Sequence, residues 1–97
     1  MRILALERGL PGVDAETCAP FLAAEARRVW ELVQEGTIRE IYFRCDRKDA
    51  VLLLECAHAR DAQEALSSLP LVRVGLIDFE LIPLRAYDGF SRLFADG

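Results

Sequence analysis

Proton transfer without a metal needs a carboxylate whose pKa its surroundings have moved, and Glu25 is the first candidate. It sits beside the apolar helical positions Leu22, Ala26 and Val29, where an uncompensated carboxylate is costly and desolvation raises its pKa. Arg28, one turn further on, can serve as a fixed cation for a carboxylate or enolate, or simply pair with Glu25 at i,i+3. Glu40, Tyr42 and Arg44 alternate along a strand and either line an enclosed interior or form a solvated, charged edge. Asp78 and Glu80 are two carboxylates on one strand face, a spacing open to acid–base work or to pairing with arginines at an interface. His58 is the sole histidine, so a metal site is disfavoured and it reads as a loop or cap residue. Cys18, Cys45 and Cys56 have no Cys-x-x-Cys spacing and are odd in number, which argues against a disulfide framework or a zinc site and leaves them as core fillers.

The elements that must position these groups follow from periodicity. Met1–Arg8 reads as a strand apolar on both faces, and Gly9-Leu-Pro-Gly12 breaks it. Asp14 or Thr17 can cap a helix running from about Ala19 to Glu35, with Leu22, Ala26, Val29, Leu32 and Val33 as its buried stripe and Gly36 ending it. Trp30 lies one position beyond the stripe and suits a subunit contact. Thr37–Arg44 alternates, with Ile38, Glu40, Tyr42 and Arg44 expected on one face and Arg39, Ile41 and Phe43 on the other. The turn Asp46-Arg-Lys-Asp49 links it to a buried strand at Ala50–Ala57. A short helix follows over Asp61–Leu69, capped near Arg60–Asp61 and stopped by Pro70. Leu76–Leu84 is the last strand, with Ile77, Phe79 and Leu81 opposed to Asp78, Glu80 and Ile82. Asp88–Gly97 is a tail whose Phe90, Leu93 and Phe94 form a hydrophobic anchor.

The order β-α-β-β-α-β is the ferredoxin-like, split βαβ arrangement of an α+β domain, with a four-stranded antiparallel sheet and two helices on one face. The other face also carries apolar side chains, and a second copy of the sheet is the economical cover, closing an eight-stranded barrel. Composition agrees: 97 residues make one domain, 1–97, yet 53% of them are hydrophobic, a surplus suited to an oligomer interface. A net charge of −4 with scattered basic residues disfavours nucleic acid. No apolar run reaches the roughly 18–20 residues of a membrane span. The N-terminus lacks a signal-peptide pattern, and a reduced cytoplasm is the simplest setting.

From Glu25 onward the chain resembles muconolactone isomerase and its relatives among the dimeric α+β barrels. The resemblance rests on Glu35-Gly-Thr37, Arg39, the aromatic Tyr42, Glu55, Leu69-Pro-Leu71 and Asp78-Phe-Glu-Leu-Ile-Pro-Leu84. It implies a cofactor-free enzyme of aromatic-compound breakdown, an assembly of dimers, moving a double bond in a small unsaturated lactone by proton shuttling. Glu25 matches the residue that looks like the family's base; Arg28 or Arg39 would hold the anionic group and Tyr42 would donate to the oxyanion, with Glu40 and Asp78 also facing the ligand. The chain departs from the family pattern at Leu22, where the family has a lysine, and at Glu40, where it has a histidine. The same barrel also serves cofactor-free oxygenases and non-catalytic binding or assembly modules.

Overall fold

The computed structural model describes residues 1–94. Strands β1 (Arg2–Gly9), β2 (Ile38–Phe43), β3 (Ala50–Glu55) and β4 (Ile77–Leu84) form one antiparallel sheet in the order β2-β3-β1-β4. Helical segments α1 (Ala15–Cys18), α2 (Leu22–Gln34), α3 (Ala59–Ser67) and α4 (Pro70–Arg73) connect them. This is the expected ferredoxin-like topology, with the two main helices on one face. The strands alternate, so Ile3, Ala5, Leu52, Leu54, Ile77, Phe79 and Leu81 face the helices, and Leu32, Ala62, Leu66 and Leu69 close the core over them.

Helix boundaries differ from expectation where side chains had to choose a partner. Asp14 does cap, accepting the Thr17 N–H at 2.9 Å, but it starts α1; a 3₁₀ turn, Ala19–Phe21, absorbs Pro20 before α2 begins. The inward stripe of α2 is rotated: Leu22 is 50% exposed and Ala26 is also exposed, whereas Glu25, Arg28, Val29, Leu32 and Val33 turn inward. Glu25 therefore occupies an inward position rather than lying beside one. The second main helix starts at Ala59, two residues before Asp61, because the His58 N–H donates to the Asp61 carboxylate at 3.0 Å. Pro70 does not merely stop it. Leu69 is extended, as a residue before proline prefers, and Pro70 opens α4 at its first position.

Strand β2 carries the largest correction. Ile38 is buried among the core residues at 2% exposure, and Glu40 pairs with Leu53 on the opposite, open face. The register slips between Ile38 and Glu40, leaving Arg39 as a bulge. Its Nε donates to the Gly36 carbonyl at 2.6 Å, and Gly36 ends the helix at φ +84°. Glu40 and Tyr42 hence share the open face, while Ile41 and Phe43, paired with the core-facing Leu52 and Ala50, point toward the helix layer.

The open face presents Leu4, Leu6, Val51, Leu53 and Ile82 in adjacent registers, bordered by the Arg8–Asp78 ion pair at 3.1 Å. Beyond β4 the chain forms a 3₁₀ turn, Gly89–Phe94, in which Phe90, Leu93 and Phe94 are 67–82% exposed. Tyr87 packs edge-on against Phe90 at 4.9 Å. The domain is drawn out to 60 Å along its longest axis, with a radius of gyration of 16.3 Å against about 13 Å for a compact chain of this length. The rest of the expected tail, residues 95–97, lies outside the described residues.

Candidate active site

The helix layer covers the central strands β1 and β3 fully, with Ile3, Ala5, Leu52 and Leu54 at most 1% exposed, and leaves the β2 edge open. At the top of the sheet one row runs Phe43, Ala50, Glu7, Phe79 across β2, β3, β1 and β4. Phe43 is 63% exposed and Ile41, one row below, 41%, because the β2 edge projects past the helices there. This corner is apolar and open to solvent; the half-buried Glu7 borders it through Ala50, and Glu25 lies close enough to Glu7 for their charges to interact.

Glu25 comes from α2. Its Oε1 accepts the backbone N–H of Leu71 at 2.9 Å, one of the free donors at the start of α4. Burial raises its pKa above 4.5, and the Leu71 bond offsets only part of that. Glu7 reaches the corner from β1. Its Oε1 accepts the N–H of Ala50 at 3.1 Å, fixing the start of β3. Its pKa is also raised, first by burial and then by the negative charges of Asp49 and Glu25, with the Ala50 bond opposing. Two carboxyls with raised pKa values thus stand within each other's field. Glu7 escaped the sequence reading. The available signal was its parity: it follows Ile3 and Ala5 on the core-facing side of β1, where a charge is out of place.

The other expected site residues lie elsewhere. Arg28 does not pair with Glu25: its Nε donates to Ser68 Oγ at 2.8 Å and its Nη1 to Glu31 at 3.0 Å, with Glu35 at 3.8 Å, so it clamps α2 to the end of α3. Arg39 is held by Gly36 at the bulge. Tyr42, 59% exposed, donates to Glu40 at 2.7 Å on the open face; that bond and the carboxylate charge raise its pKa. Asp78 accepts from Arg8 on the same face. One chain thus keeps Tyr42, Glu40 and Asp78 on the far side of the sheet from Glu25. His58 caps α3, and Cys18, Cys45 and Cys56 are free thiols. Among the described residues no three His, Cys, Asp or Glu side chains are grouped to hold a metal, and no helix is long and apolar enough to cross a membrane.

The topology defines a ferredoxin-like α+β domain. More particularly, the chain belongs to the muconolactone delta-isomerase family, whose model matches residues 8–89. The solved structure of a muconolactone isomerase is similar at a TM-score of 0.74 and 20% identity, over 91% of this chain and 92% of that one. So is 5-chloro-2-hydroxyhydroquinone dehydrochlorinase from Burkholderia phenoliruptrix AC1100, in complex with 2,5-dihydroxybenzoquinone, at a TM-score of 0.72 and 14% identity over 92% and 98% of the two chains. At these identities both likenesses establish the fold. No curated protein sequence matches the chain significantly.

Proposed function

We propose that this protein is a cofactor-independent isomerase of a small unsaturated lactone or related intermediate of aromatic breakdown, with Glu25 as the proton shuttle. The observation that carries the reading is a half-buried carboxylate of raised pKa, anchored by one oxygen to Leu71 and within the field of Glu7 beside it. Ionised Glu25 takes a proton from a carbon next to the conjugated double bond. The C–H electrons move into the π system, the double bond shifts and negative charge gathers on the lactone carbonyl oxygen. The same carboxyl returns the proton to another carbon, so the bond migrates with no net change in composition. Family membership supports the reaction class.

The reading includes a second copy. The open face of Leu4, Leu6, Val51, Leu53 and Ile82 is a contiguous apolar surface that two sheets packed face to face would bury as a barrel. A second reading of the site has its own observation: the Tyr42–Glu40 bond borders a depression lined by Leu4, Val51 and Leu53, which such a barrel would enclose. The test is ultraviolet detection of muconolactone conversion to its enol-lactone. Wild-type turnover that vanishes in Glu25→Gln and survives in Tyr42→Phe is the expected result. The reverse pattern would move the chemistry into the barrel, and turnover unchanged in Glu25→Gln would overturn the assignment.

A further inference from the structure

The corner and Glu25 beside Glu7 supply two acids, but a ligand that carries a carboxylate also needs a cation. The β2–β3 hairpin supplies three basic residues and two acidic ones. Arg44 donates to Asp46 at 2.8 and 2.6 Å, and Arg47 Nε lies 2.6 Å from Asp49. Lys48 is left over, with no carboxylate within 4 Å among the described residues. Its Nζ instead stands 5.6 Å from the centre of the Phe43 ring, a cation–π distance. Phe43 heads the row that runs through Ala50 to Glu7. Two strand spacings, about 9–10 Å, therefore separate the backbone beneath the Phe43 ring from that beneath Glu7. That span suits a molecule of one small ring with an acidic side arm.

We propose that Lys48 is the residue that selects carboxylate-bearing ligands, holding the side-arm carboxylate at the Phe43 end of the corner while the ring lies against Ile41 and presents its carbon acid to Glu25. The inference rests on the corner being the ligand site. It assigns the anion-holding role, expected of Arg28 or Arg39, to a residue whose charge the fold leaves uncommitted. Both arginines are committed to other partners, Arg28 to Ser68 and Glu31 and Arg39 to the Gly36 carbonyl.

Calorimetric titration of the folded protein with muconolactone and with its side-arm amide tests this without relying on turnover; Glu25→Gln serves as the background so that no ligand is consumed. Lys48→Gln should weaken muconolactone binding about tenfold, the ratio that about 1.4 kcal/mol corresponds to, and leave amide binding within twofold. Lys48→Arg should restore most of the loss. Equal affinity of the Gln variant and its parent for muconolactone would overturn the role of Lys48 while leaving the corner intact as a site. Binding of neither compound would overturn both the corner and Lys48's part in it.

Discussion

Glu25 holds the start of α4 and, in the proposed reaction, carries the proton; two substitutions separate these tasks. In Glu25→Ala the Leu71 N–H loses its acceptor at a half-buried helix start. Loss of such a cap costs about 1–2 kcal/mol. For a domain of this size each kcal/mol lowers the melting temperature by about 4–8 °C, so a fall of roughly 4–16 °C is expected. In Glu25→Gln the amide oxygen still accepts from Leu71, while the desolvated charge and its repulsion of Glu7 both disappear. Stability should then stay within about 0.5 kcal/mol of wild type, or rise, at neutral pH. The assay is thermal unfolding by circular dichroism at one protein concentration, since assembly would make melting depend on concentration. Both variants should lose turnover. A Gln variant as unstable as the Ala variant would refute the claim that Leu71 needs only an acceptor. A stable Ala variant would refute the cap itself.

Glu7 and Glu25 bind protons more tightly folded than unfolded. The native state holds the extra protons between the ordinary carboxylate pKa of 4.5 and the raised values, so stability falls as pH rises through that window. Urea midpoints across it should show a downward slope that the double Gln variant flattens. Glu55, whose pKa the N-terminal ammonium lowers, acts oppositely, its stabilisation being lost as pH falls below 4.5 through its lowered value. Leu53→Lys, on the open face, should raise the dissociation constant of the proposed dimer at least about hundredfold by sedimentation, because a buried unpaired charge costs several kcal/mol; the circular dichroism of the folded domain should persist. Ser68→Ala removes the acceptor of Arg28 Nε and should cost about 1 kcal/mol with turnover unchanged. Lost turnover there would bring Arg28 back into the site.

The strand order and the layer of helices were legible because alternation in β4 and the three-to-four spacing of α2 survive folding unaltered. The rotation of α2 was not. Leu22 and Ala26 look like stripe residues, but the turn at Pro20 swings the helix so that Phe21 and Glu25 take inward places. A carboxylate can do so only because Leu71 offers it an N–H, a contact 46 residues away. Pro70 read as a stop because the rule for helix interiors competes with the preference for a first position. The site was half legible: Glu25 stood out by its apolar company, whereas Glu7 closes a strand that looked purely structural. The pairing of Tyr42 with Glu40 on the opposite layer depended on a bulge that clean alternation over Thr37–Arg44 conceals.

That bulge is an insertion the sheet has already absorbed. Because Arg39 takes no place in the ladder, a chain lacking it would run directly from Ile38 to Glu40 with the same partners, and Ile41 and Phe43 would keep their layer. An extra residue anywhere between Glu40 and Phe43 has no such slack and would exchange the two faces downstream of it. In a lineage of such proteins, length change is therefore tolerated at one point of this strand, on the helix side of Glu40, and the phase of the corner is inherited from there.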